Sequence, residues 1–269
     1  LSWIYTQQPI LILDAVYSLS HAKDKTDFQK GVQLIAAPGL NVMYGDAKGN
    51  VAWWATGKLY KHNAGVNPNF ILDGASGKDD IKEYLDFSKN PSAVNPAWNY
   101  VYSANNQPEP IDGFLYPGYY LPEDRAKRIT HLLDSKSNWD KESASKMIFD
   151  NTSAVAPSVV QNLTGALEIK TLSESEKEAI AVLKTWSGSN NLEDVAPTIY
   201  NKWMYCYLKN TFQDEMGEAG FKQFMGTHIM KQVVATQIAN KQSLWWDNVA
   251  TKNQKETRLQ ILSQSFKEA

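Results

Sequence analysis

The chain has 269 residues, 43% hydrophobic and 21% charged, with a formal net charge of -2 and a pI near 6.1. That is enough apolar material for one large core or two modest ones. The near-neutral balance lacks the basic footprint of a nucleic-acid binder or of a protein drawn to anionic membrane, and without a run of 18 apolar residues no transmembrane helix is expected.

The chain opens with "LSWIYTQQP", without Met, without a basic leader region and without a signal-type cleavage site. Such a start predicts a processed or excised piece of a longer chain. Residues 1–6 alternate and are rich in Trp, Ile and Tyr, which predicts a strand. From Ile10 to about His21, Leu11, Ala15, Val16 and Leu19 recur at helical spacing. A second helix is expected over about 26–36, opened by the capping-box pattern Thr26-x-x-Gln29 and ended by Pro38-Gly39.

The next stretch, "NVMYGDAKGNVAWWATGKLY", predicts a β-hairpin: two strand-like runs, Val42 to Tyr44 and Val51 to Thr56, flank a turn-rich connector. A calcium loop is ruled out here, because Lys48 occupies a ligand position. Residues 61–97 are polar and loop-like, a length that usually means function or a place in a larger assembly. Tyr100, Val101 and Tyr102 then predict a strand that stops at Asn105-Asn106, ahead of a proline-broken loop. Beyond Pro122 the patterning becomes helical. "PEDRAKRITHLLDS" starts one helix, Asn138 is read as the cap of the next, and Ser173-x-x-Glu176 is a further capping box. Helices are expected over 198–212, 214–240 and 253–268. The predicted class is α+β, with a mixed α/β region over 1–109 and a mostly helical subdomain over 110–269.

Few residues offer chemistry. Cys206 is the single cysteine, so it forms no intrachain disulfide and reads as a small buried side chain. His21, His62, His131 and His228 are scattered without metal-ligand spacing, so no metal site is assigned. Neither a phosphate-binding glycine loop nor G-x-S-x-G is present. What remains is Asn105, whose uncharged amide at a strand end could donate to a developing oxyanion, and Arg125, whose forked donors could orient carboxylates or amides. On the residues alone, ordinary turn chemistry at Asn105 is the more common reading. A non-enzymatic module whose ligand or partner surface is built from Trp53, Trp54, Trp98 and Tyr100 stays open as well.

Taken in order, "APGLNVMYGDAKGNVAWWATGKL", "VYSANNQPEP", "YYLPEDRAKRI" with "LLD", and Asp150-x-x-Ser153 resemble the penicillin acylase family of N-terminal-nucleophile hydrolases. The likeness extends over essentially the whole chain and is strongest from 36 to 133. It implies part of an αββα sheet region, followed by helices, from the large chain of an enzyme that cleaves N-acyl amides by acyl transfer. By the same resemblance Asn105 matches the oxyanion-hole side chain and Arg125 the arginine that organises the nucleophile's amine and the substrate, while Asn106 shapes the turn. Family members often bind calcium; its ligands are not identifiable in this sequence, Asp112 is a poor candidate, and no cofactor is assigned. The family's nucleophile is an N-terminal Ser, Cys or Thr whose own α-amine serves as base. Ser2 does not match it, since it lies behind Leu1 inside the "L-S-W" pattern. The chain alone is therefore expected to be inactive, its partners being an N-acyl amide substrate and the remaining segments of a parent acylase, with self-association through exposed sheet edges as a further expectation. A catalytically dead homologue is the other alternative. The resemblance implies a periplasmic or secreted protein.

Overall fold

A computed structural model describes residues 2–269, which fall into two compact units, residues 2–120 and 121–269. The first begins with a single helical turn, α1 (Ile4–Gln7), not with the strand expected over 1–6; Leu1 lies outside the described residues. Local bonds close this turn. Thr6 N–H and Thr6 Oγ1 both donate to the Trp3 carbonyl, at 3.0 and 2.8 Å, and Gln8 N–H donates to that of Ile4. The aromatic, β-branched composition suits a half-buried pleated surface, but Trp3 is 55% exposed and leans on Tyr5.

Helices α2 (Ile12–His21) and α3 (Lys25–Gln33) form a hairpin. They approach closely at Gly31, where an added Cβ would sit 3.0 Å from Leu19 side-chain carbons. The expected capping box at Thr26 is not formed. Asp24, in extended conformation, caps α3 by accepting from Asp27 N–H, and the helix stops at Gln33.

Strands β1 (Asn41–Gly45) and β2 (Val51–Ala55) make the expected antiparallel hairpin, with Met43 opposite Trp53. Its connector is organised by Asp46, whose carboxylate accepts from Lys48 N–H, Asn50 N–H, the Asn50 amide and the Tyr44 hydroxyl. Residues 61–97 are not continuous loop. They include most of β3 (Tyr60–His62), all of β4 (Ile81–Tyr84) and all of β5 (Ser92–Val94). β5 pairs with β2 to give the order β1-β2-β5, and β3 pairs with β4 in a separate ribbon. Val32, Ala52 and Trp54 form the buried centre of this unit, with Phe28 and Tyr44 against it.

The strand expected over residues 100–104 does not form. Asn99 (φ 61°) and Asn105 (φ 58°) adopt left-handed backbone on either side of it, which interrupts the extended run at both ends.

The second unit is helical. It consists of α4 (Asp124–Asp134), α5 (Lys141–Ile148), α6 (Ala156–Thr164), α7 (Glu174–Thr185), α8 (Ala196–Met225), α9 (Ile229–Ala239) and α10 (Arg258–Lys267). The Ser173–Glu176 capping box is present. Asp140, not Asn138, caps α5, through a reciprocal box with Ser143. α8 runs past the expected end at 212 and departs from helical dihedrals only at Gly217 (φ 68°, ψ 169°), while the span expected over 214–240 is interrupted between Met225 and Ile229. Side chains of α6 to α10 converge on one apolar core that includes Leu163, Leu183, Trp203, Tyr207, Ile238 and Leu262.

Candidate functional site

The segment Ser103-Ala104-Asn105-Asn106 is pinned by short-range bonds. Ala104 is fully buried, and its N–H donates to Asn106 Oδ1 at 3.2 Å. The Asn105 N–H donates to Ser103 Oγ at 3.2 Å. Asn106 Nδ2 donates to the Gln107 carbonyl at 3.4 Å, so both ends of the Asn106 amide serve the turn. Asn105 itself is exposed and borders a cavity of about 520 Å³.

The cavity wall mixes apolar and aromatic side chains (Trp3, Leu40, Leu59, Tyr116, Tyr120) with the polar Asn41 and the cationic Lys58, and no carboxylate lines it among the described residues. Two amides and a phenol brace the backbone behind it. Asn90, 4% exposed, donates through Nδ2 to the carbonyls of Ala55 and Gly57, each at 2.8 Å. The Tyr116 hydroxyl donates to the Thr56 carbonyl between them, and Gln107 Nε2 donates to the Tyr116 carbonyl at 3.0 Å. Burial pushes the Tyr116 hydroxyl up to about 12 and raises that of Tyr120 as well, so both rings stay neutral at physiological pH. With Lys58 the one charged side chain on the wall among the described residues and no carboxylate beside it, the cavity can strengthen a hydrogen bond made to a developing negative charge.

Ser2 also borders the cavity, but its hydroxyl accepts from Gln7 Nε2 at 2.9 Å. An amide cannot take up the proton of an attacking hydroxyl, so this arrangement does not activate Ser2.

Arg125 belongs to the second unit, in the first turn of α4, and is exposed. Its neighbours are tied down. Asp124 accepts from Ser153 Oγ and from the N–H groups of Ala154 and Val155. Arg128 grips Asp150 with two bonds, from Nε at 2.8 Å and from a terminal nitrogen at 2.5 Å. The Arg128 guanidinium holds the Asp150 carboxyl below the usual carboxylate range. This tie joins "PEDRAKRI" to Asp150-x-x-Ser153, two stretches that are far apart in the chain. The available signal was an acid in one first turn and a D-x-x-S ahead of an Ala-Pro helix start.

Other candidates resolve simply. Cys206 is buried, and burial pushes its thiol up. Trp54 is 1% exposed within the core, which removes it from any surface shared with Trp98, itself 58% exposed. Asp112 is paired with Lys89 at 2.7 Å. Among the described residues no group of three His, Cys, Asp or Glu side chains is placed to hold a metal. Among the same residues, no helix is long and apolar enough to cross a membrane.

Comparison with known proteins places this architecture. The chain is 28% identical over 213 residues to penicillin G acylase of Escherichia coli, covering 71% of this chain and 24% of that protein. It is 25% identical over 273 residues to the acyl-homoserine lactone acylase QuiP of Pseudomonas fluorescens (strain Pf0-1), covering 94% of this chain and 33% of that one. The chain thus spans about a third or less of these relatives. The crystal structure of a thermostable penicillin G acylase from Alcaligenes faecalis superposes with a TM-score of 0.73 at 17% identity, over 96% of this chain and 50% of that one, a likeness of fold. The α+β architecture is accordingly that of the Ntn hydrolases. Residues 1–269 match the penicillin amidase family throughout, and the chain belongs to that family.

Proposed function

We propose that this chain is the oxyanion-stabilising part of an amidohydrolase that cleaves N-acyl amides by acyl transfer. The observation that carries the reading is Asn105, held by the bonds of Ser103 and Asn106 at the rim of a cavity rich in aromatic side chains and free of carboxylates among the described residues. In the reaction, a nucleophile adds to the amide carbonyl carbon, and the oxygen takes up the negative charge as the carbonyl π bond breaks. The Asn105 amide donates to that oxygen. Collapse expels the amine, which leaves with a proton, and water then releases the acid from the acyl-enzyme. Arg125 is assigned to orienting the nucleophile's amine and the substrate.

The nucleophile is assigned to a part of the protein outside these residues. The Ser2–Gln7 bond and the one-third coverage of the curated relatives support that assignment. The free edges of β1 and β5 are assigned to pairing with the remaining segments of the parent, or otherwise with a second copy. The family resemblance supports a periplasmic or secreted location.

In the full protein that carries this chain, Asn105→Ala and Asn105→Asp should each lower kcat for a chromogenic acyl-anilide by about 10²- to 10³-fold, the usual loss for one oxyanion donor. Unchanged kcat in both variants would sink the role of Asn105. Asn105-dependent hydrolysis by the isolated 269-residue chain would overturn the assignment of the nucleophile to another segment.

A further inference from the structure

The first turn of a helix ordinarily frays, yet the first two turns of α4 are each tied to a single segment, residues 150–155. Asp124 accepts from Ser153 Oγ at 2.7 Å, Ala154 N–H at 2.7 Å and Val155 N–H at 3.1 Å. One turn on, Arg128 holds Asp150 through two bonds. The start of α6 has a local acceptor already, because Ser153 Oγ takes Ala156 N–H at 2.9 Å and Val155 N–H at 3.3 Å. Asp124 is therefore a second acceptor, brought from 30 residues away.

The segment itself is braced from behind. Ser153 N–H donates to the Gly188 carbonyl at 2.8 Å, and a Cβ on Gly188 (φ 93°) would meet the Ser153 carbonyl oxygen at 2.2 Å. Between the two tied residues, Ala126 is buried and Arg125 is exposed.

We infer that Asp124 is a positioning residue for Arg125: its carboxylate locks the backbone from which Arg125 projects to the start of α6. The inference rests on the assignment of Arg125 to the acyl-transfer site. An arginine's long side chain aims its fork only as well as its Cα is fixed, and a displacement of about 1 Å at a positioning group can cost on the order of 10²-fold in rate. Because the Arg128–Asp150 pair already joins the two segments, the particular effect of Asp124 falls on the residue beside it.

The test is a double-mutant cycle in the full protein, read as kcat/KM for an acyl-anilide alongside thermal stability. Asp124→Asn should lower kcat/KM about tenfold and Ser153→Ala by a few-fold, with neither adding to the loss caused by Arg125→Ala. Full additivity of Asp124→Asn with Arg125→Ala would overturn the inference, since a merely structural residue imposes its cost whatever stands at 125. So would wild-type kcat/KM in both Asp124→Asn and Ser153→Ala. If Asp124→Asn does not fold, the Ser153→Ala cycle with Arg125→Ala carries the same decision. An Arg125→Ala variant of wild-type activity would instead refute the assignment of Arg125, and this inference with it.

Discussion

In residues 121–269 the buried side chains from Ala156 to Phe266 join one continuous apolar cluster, whereas in residues 2–120 the cluster is reduced to Val32, Ala52 and Trp54 with their partly buried neighbours. The first unit makes up the difference with directed bonds. Asp46 gathers four donors at the hairpin, Asn90 staples two carbonyls, and Asn95 accepts from Val51 N–H while donating to Asn50. Apolar packing is non-directional and distributes its energy over many contacts. A polar staple fixes one geometry and fails as a unit. The cavity and Asn105 lie in the region built the second way, which suits the role proposed for Asn105, that of a donor held in one place.

The largest effect should come from the helical core. Leu163 is fully buried there, and Leu163→Ala should cost about 2–5 kcal/mol, seen as a lower denaturation midpoint and lost amide protection in α6 to α10. A cost under about 1 kcal/mol would mean that the core is loosely packed and would break the contrast.

Asn90→Ala ranks next. It strips the amide donor from two carbonyls and should cost about 1–3 kcal/mol. Amide exchange should rise around Ala55–Gly57 and Asn90 while α6 to α10 stay protected. Spread of the loss into those helices would contradict the local character claimed for the first unit.

The smallest effect should be at Asp46, seen only with pH. The Asn50 backbone N–H and amide, joined by Tyr44 and Lys48, lower its carboxyl to about 2. A carboxylate with a depressed folded-state pKa contributes stability that is present above the unfolded value of about 4 and is lost as pH falls toward about 2. Wild type and Asp46→Ala should therefore differ in melting temperature at pH 6 and converge near pH 2. A difference that persists at pH 2 would assign the role of Asp46 to something other than its charge.

Features encoded within a few residues were legible in the sequence. The hairpin around "GDAKGN" was read because turn residues and flanking β-formers lie side by side, and the Ser173 box because its two partners are three residues apart. Pairings that depend on distant chain were not. β3 meets β4 across Tyr60 and Tyr84, and nothing local to "YKH" announces it. α6 was missed although Pro157 in its first turn was a usable signal. "LSWIYT" misled because six residues of β-prone composition carry no information about whether a ladder partner exists. For the candidate site, the sequence offers Asn105 as an amide at the end of a strand that does not form, while Tyr116, Asn90 and the Asp124–Ser153 tie become visible only once segments far apart in the chain are brought together.

The backbone at Asn105, with φ at 58°, narrows the amino-acid alphabet before any chemistry is considered. Glycine enters that conformation freely, and asparagine and aspartate at modest cost. β-branched and bulky residues are shut out. Of the three admitted, glycine has no side chain to offer, and under the oxyanion role proposed for Asn105 aspartate would present negative charge where negative charge develops. Asparagine alone passes both filters. A library randomised at this position should therefore separate into two tiers: Asn, Asp and Gly well represented among folded variants, and Asn alone among active ones.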